Sequence, residues 1–308
     1  MRRAIPLLFL GPLLHAATYY VTVAGLGGEP EYVQRFAAWA GDLDKILKAG
    51  GPEAHVATLK GDQATRANLQ TALEDVAKQA KPDDALVVML IGHGSFDGYE
   101  YKLELPGPDI TAGELAALLD RIPAGRQLVV NTTSASGGSL AALEKPNRAV
   151  ITATKSGTER NATIFARYWV AALQDPTADT DKNETISALE AFRYAQEKTA
   201  NFYETQNRLA TEHPVLEDTG QGEAVKTPSP ENGKGLLAAR ISLLQTSAAQ
   251  AVAKDPAKQA LLKKKEELDQ QIDTLKYQKA AMPLEEYRKQ LSALLLELAK
   301  TQEELDKK

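Results

Sequence analysis

The chain has 308 residues, no cysteine and a formal net charge of −5. That length supplies a sizeable core for one or two domains, and apolar and charged contents of 43% and 25% are those of a soluble globular protein. The lack of cysteine excludes disulfides, thiolate metal sites and a thiol nucleophile. The acidic balance leaves no electrostatic footprint for nucleic acid.

The N-terminus carries Arg2 and Arg3, an apolar run over 4–14, then small residues after His15. This is the layout of a secretory leader. The run is broken by Pro6 and Pro12 and is too short to cross a bilayer. We expect a leader over 1–17, export to a periplasmic or extracellular location, and no membrane span once the leader is cut.

Residues 18–24 are β-branched and aromatic and predict a strand. From 31 to 48, Tyr32, Phe36, Trp39, Leu43, Ile46 and Leu47 recur at helical spacing. A second strand is expected at 55–59. Thr65 then caps a helix reaching Gln79, with Leu69, Leu73 and Val76 on one face. The apolar run 85–91 is a third strand, and Thr111 with Glu114 forms a capping box that opens a helix through Leu119. Strands at 127–131 and 148–154 follow, then helices at about 162–174 and 187–205. Strands alternating with helices predict a mostly parallel sheet covered on both faces. In such sheets, sites form at the carboxyl ends of the strands.

Residues 217–234 are rich in Gly, Pro, Ser and charge, which predicts a linker. Beyond it, Leu261, Leu268, Ile272 and Leu275 repeat at near-heptad spacing. After Pro283, Leu284, Tyr287, Leu291, Leu294 and Leu298 do the same. This predicts an antiparallel, coiled-coil-like α-helical hairpin. Two helices cannot enclose their own apolar stripe, so the hairpin should dock elsewhere, on another molecule more readily than on its own domain, with self-association through it. The expected division is 1–17 leader, 18–222 α/β domain, 223–253 linker and connecting segment, and 254–308 hairpin.

Two blocks carry the chemistry. Gly92-His93-Gly94-Ser95 ends the third strand, and Thr132-Thr133-Ser134-Ala135-Ser136-Gly137-Gly138 ends the fourth. In this order and spacing they resemble the catalytic face of legumain-type and caspase-like cysteine peptidases. There, His-Gly follows one strand, and a small residue, Cys, x, Ser and Gly follow the next. The resemblance spans roughly 18–220 and implies a caspase-like three-layer α/β sandwich. It further implies that His93 polarises or protonates the leaving group, and that the Gly94 N–H joins that of residue 134 in an oxyanion hole. Residue 134 would attack the carbonyl. Ala153-Thr154-Lys155-Ser156-Gly157 resembles the family's substrate wall, which would make Thr154 and Ser156 substrate-binding. No cofactor is required by this chemistry. Here the nucleophile position holds Ser134, and Thr132 and Thr133 stand where the family places an acid. A serine hydroxyl is a far weaker acid than a thiol and needs a base in contact with it.

A separate block, 179–190, matches a twelve-residue calcium loop. Asp179, Asp181 and Asn183 fall at positions 1, 3 and 5, Thr185 at 7, Ser187 at 9 and Glu190 at 12. Position 6 is Glu184 rather than Gly, and the alternative reading is a polar loop that caps a helix with Ser187 and Glu190. The acidic, Gly-bearing stretch from His213 reads as a surface turn, with a fold-back near the active face as the alternative. Three functions remain open. The first is an exported pseudopeptidase that binds a peptide or protein segment in the old cleft, and the second is a hydrolase using Ser134 with His93. The third is an assembly protein acting through the hairpin.

Overall fold

The computed structural model describes residues 16–51, 53–245 and 255–307. The leader read over 1–17 therefore lies outside the described residues up to position 15. In chain order the elements begin β1 (Thr18–Ala24), α1 (Pro30–Lys48), β2 (Ala54–Lys60), α2 (Arg66–Gln79) and β3 (Ala85–Ile91). Three short strands follow, β4 (Gly94–Phe96), β5 (Tyr101–Leu103) and β6 (Ile110–Thr111), then α3 (Ala112–Leu119) and β7 (Arg126–Asn131). Next come α4 (Leu140–Leu143), β8 (Arg148–Thr152), α5 (Phe165–Ala172), β9 (Thr185–Ser187), α6 (Ala188–Thr205) and β10 (Val215–Glu217). The chain closes with α7 (Leu236–Ala239), β11 (Ser242–Gln245) and the hairpin helices α8 (Pro256–Gln278) and α9 (Leu284–Asp306).

The main sheet has six strands in the order β10-β8-β7-β3-β1-β2. All neighbours pair parallel except β10, which runs antiparallel to β8. Strand β3 is buried along its whole length because both of its faces are covered. Val87, Met89 and Ile91 join the layer formed by α1, α5 and α6, where Phe36, Leu43, Phe165, Trp169 and Phe192 pack. Leu86, Val88 and Leu90 join the opposite layer with Leu69 and Leu73 of α2 and Leu115 and Leu119 of α3. This is a three-layer α/β sandwich with a C-terminal helix pair. The five principal strands and the crossover helices stand where their apolar periodicity puts them.

Three features differ from the sequence expectation. The β4-β5-β6 and β11-β9 sheets were not foreseen, because two- to four-residue strands are too short to display a period. The expected linker is packed through Gln245. Lys234 Nζ donates to Glu217 Oε1 at 3.0 Å with both side chains buried. The buried Asp218 carboxylate accepts the N–H groups of Gly235, Leu237 and Ala238, where α7 begins. Charged residues that suggested solvent are paired in the interior instead. The hairpin docks on its own domain, against the expectation of another molecule. Leu268, Ile272 and Leu275 of α8 are buried, Tyr277 donates to the Lys234 carbonyl at 2.7 Å, and Arg240 donates to the Thr274 hydroxyl.

Glu212 ties α5 to α6. It is buried and accepts from the Ile164 and Phe165 N–H groups at 2.8 and 3.2 Å and from the Tyr203 hydroxyl at 3.0 Å. Burial is the largest influence, the Glu159 charge adds to it, and together they push its pKa from 4.5 up to about 7. A carboxyl raised in the folded state stabilises fully below its unfolded pKa and loses that contribution as pH rises through the folded value. Urea-unfolding stability should therefore fall by on the order of 3 kcal/mol from this group between about pH 4.5 and 8. Glu212→Gln should flatten the profile by that amount, and an unchanged slope would assign the pH dependence to other groups.

Candidate functional site

The parallel pairing of β3 with β7 sets Leu90 opposite Asn131, so the two chemistry-bearing blocks leave the sheet side by side. The β7 block then folds into a dense hydroxyl network. Asn131 Oδ1 accepts from the Tyr101 and Thr133 hydroxyls at 3.2 and 2.8 Å, and Asn131 Nδ2 donates to Ser139 Oγ at 3.1 Å. Burial pushes the Tyr101 phenol up to about 12, so it stays protonated as part of this network. The Thr132 hydroxyl donates back to the Leu90 carbonyl at 2.7 Å, and Thr163 donates to the Thr132 carbonyl.

Ser134 is buried, and both bonds of its hydroxyl go to one residue. Oγ accepts the Gly94 N–H at 3.1 Å and donates to the Gly94 carbonyl at 2.9 Å. Ser134 and Gly94 are thus brought together, but as a clamp between the two strand-end loops. In this arrangement the Gly94 N–H is committed to the hydroxyl. Gly94 has no room for a side chain, since a Cβ would lie 2.6 Å from Thr133 Oγ1 and from the Tyr101 ring. Ala135 adopts left-handed geometry, with φ of 54°, and its N–H donates to the Glu159 carbonyl at 2.8 Å.

His93 faces the other way. Its Nε2 lies 3.2 Å from the Gly27 carbonyl, which can only accept, so this nitrogen carries the proton. The ring packs edge-on against Tyr32 and Phe36 of α1, at centroid distances of 4.9 and 5.2 Å. Among the described residues, no hydrogen bond joins His93 to Ser134. As it stands, the serine has no base in contact with its hydroxyl.

Thr154 is fully buried and spends its hydroxyl on Ser136, the Gly137 N–H and the Ser156 carbonyl. It is a tie between loops and offers no surface to a substrate. Ser156 is half-buried and pairs with Thr158 at 2.8 Å.

The structure adds a pair in the stretch from His213, which folds back toward the strand ends instead of standing out as a surface turn. His213 Nδ1 lies 2.5 Å from Glu159 Oε1, and the His213 N–H donates to Glu159 Oε2 at 3.2 Å. Through the Glu159 carbonyl this pair is tethered to Ala135, one residue from Ser134. No local signal marks it, because the two residues are 54 positions apart. A groove of about 600 Å³ opens elsewhere, along β2 and α2, lined by His55, Ala57, Leu59, Thr71 and Asp75 among others. Its lining includes none of His93, Gly94 and Ser134.

In the loop at 179–190, one carboxylate oxygen each from Asp179, Asp181 and Glu190 lie within 4.8 Å of one another. Glu184 takes a left-handed φ of 71°, the turn that glycine would make without strain. Thr185 and Ser187 lie on β9, with the intervening Ile186 buried. Asn183 Oδ1 accepts the Thr185 N–H and hydroxyl. The capping box also exists, with Ser187 N–H and hydroxyl donating to Glu190 Oε2 at 2.9 and 2.8 Å. Local desolvation of its carboxylate first, and then the Glu190 charge, push Asp181 up to about 7, although the residue as a whole is exposed.

No family model matches the chain, and no curated protein matches it. Among solved structures it is similar to a protein from Geobacter sulfurreducens at 14% identity and a TM-score of 0.44, covering 70% of this chain and 95% of that one. It is also similar to caspase-1 from Spodoptera frugiperda, at 13% identity and 0.46, covering 66% and 87%. The Drosophila initiator caspase Dronc matches at 10% identity and 0.44, covering 68% and 81%. Likeness at this level assigns no activity, so function rests on the residues themselves.

If Ser134 acts as a clamp, Ser134→Ala strands two buried backbone groups of Gly94. We expect a loss of about 1–3 kcal/mol in urea unfolding. A loss below about 0.5 kcal/mol would mean that water replaces the hydroxyl and that the clamp is dispensable.

Proposed function

We propose that this chain is an exported homologue of the legumain-type and caspase-like peptidases whose cleft binds an extended peptide or protein segment without efficiently cutting it. One observation carries the reading: the Ser134 hydroxyl is bonded to Gly94 on both sides while His93 is bonded to Gly27. A serine nucleophile needs its proton taken by a base as it attacks. Here the proton points at a carbonyl, which cannot take it. The chain has no thiol that could dispense with such a base. A bound segment would instead satisfy its backbone groups against the loops at the strand ends.

The test is to incubate the full chain with a peptide library and to read both retention and cleavage by mass spectrometry. Retention of intact peptides, equal in wild type and Ser134→Ala for cleavage products, is the expected result. Cleavage that disappears in Ser134→Ala would establish a Ser134 hydrolase instead. Neither retention nor cleavage would overturn both readings.

We also propose that the loop at 179–190 binds calcium. Asp179, Asp181, Asn183 and Glu190 supply hard oxygen donors, with Thr185 and Ser187 at the remaining loop positions. The supporting observation is the close approach of three carboxylates with no Lys or Arg ion pair to any of them among the described residues. When bound, calcium would supply the missing positive charge and fix the entry to α6. Millimolar calcium should then raise the melting temperature and chelator should reverse the rise, by mass action on the folded state. Asp179→Ala combined with Glu190→Ala should abolish the response. An unresponsive parent protein would leave the loop as a helix cap.

A further inference from the structure

Helix α9 presents two faces. Leu291, Leu294, Leu298, Thr301 and Leu305 turn toward the rest of the fold, with Thr301 and Leu305 buried. About half a turn away runs a second stripe that nothing covers among the described residues. It holds Arg288, Ser292, Leu295, Leu296, Ala299 and Glu303. Leu295 and Leu296 are 47% and 58% exposed. Scattered exposed leucines need no explanation, but two adjacent ones between small residues on one helix face form a patch.

The stripe is complementary to itself when reversed. We propose that it pairs with the same stripe of a second copy, antiparallel about a two-fold axis between Leu295 and Leu296. In that register Leu295 of each copy meets Leu296 of the other. Ser292 faces Ala299, and these small side chains let the helices approach to about 8–10 Å. Arg288 faces Glu303 on both sides of the axis, Lys289 faces Gln302, and the stem of Lys307 covers Leu284. Arg288 already contacts Glu285 of its own helix at 3.1 Å, and can share its guanidinium between the two carboxylates. Glu285 opposite Asp306 is the one like-charge pair, and it falls at the ends of the contact. Such pairing makes a two-fold, isologous interface. It joins the two hairpins into a four-helix arrangement, with α8 of each copy anchored on its own domain. One helix face buries less than a standard interface, so the dimer is reversible and concentration-dependent.

Charge swaps test the register as well as the association. Sedimentation velocity of the full chain across a wide concentration range should show a monomer–dimer equilibrium. Leu295→Glu with Leu296→Glu should leave only monomer while circular dichroism stays unchanged. Arg288→Glu alone, and Glu303→Arg alone, should each weaken dimerisation at least tenfold, since each sets like charges across the axis. Combining both in one chain, or mixing the two single variants, should restore it. A chain that is monomeric at every concentration would overturn the proposal. So would a dimer indifferent to the leucine variants, or single charge variants that fail to rescue each other.

Discussion

Everything at the candidate site depends on one pairing, that of β3 with β7 in parallel register. Both strands are buried on two faces, so neither can slide without moving its side chains into the wrong layer. A one-residue slip would exchange Val87, Met89 and Ile91 with Leu86, Val88 and Leu90 between the two cores. The register therefore fixes where Gly94 and Ser134 emerge. The contact between them is a consequence of core packing before it is anything chemical.

Having emerged together in a buried place, the two loops must satisfy their polar groups. The chain does this with hydroxyls. Thr132, Thr133, Ser134, Ser136, Ser139, Thr152, Thr154 and Thr163 are all buried and all hydrogen-bonded, some within their own segment and some across to another. Such a network rigidifies what it joins. It also leaves the Ser134 hydroxyl and the Gly94 N–H bonded to each other. A thiol, being a weak donor and acceptor, could not hold Gly94 in this way. Serine at position 134 makes this tie between the two loops, while His93 lodges against Tyr32 and Phe36.

The C-terminal part follows the same logic of burial. The Lys234–Glu217 pair and the Asp218 cap convert a polar stretch into a platform, and α8 is bonded to it through Tyr277 and Thr274, with Leu268, Ile272 and Leu275 buried. A buried pair of this kind is costly to break, since the survivor would be an uncompensated charge. Once α8 is held, α9 is carried on its outer side with one face to spare. The exposed leucines are a result of this order of attachment.

The sequence by itself determined the elements whose residues speak locally. Apolar runs gave β1, β3, β7 and β8, helical spacing gave α1, α2 and α6, and the boxes at Thr111 and Ser187 marked helix starts. It also placed His93, Gly94 and Ser134 at neighbouring strand ends, because alternating strands and helices admit few topologies. Tertiary structure decided what those residues do. Whether a hydroxyl meets an imidazole or a glycine backbone depends on side-chain direction, and periodicity carries no information about that. The Glu159–His213 pair, the buried Lys234 and the docking of α8 were hidden for the same reason. The first two involve charged residues whose types alone would suggest solvent, and the third depends on a surface that the polar stretch before it builds only when folded. Local composition reports what a residue would prefer in water. Only the packed fold shows which partner allows it to leave water.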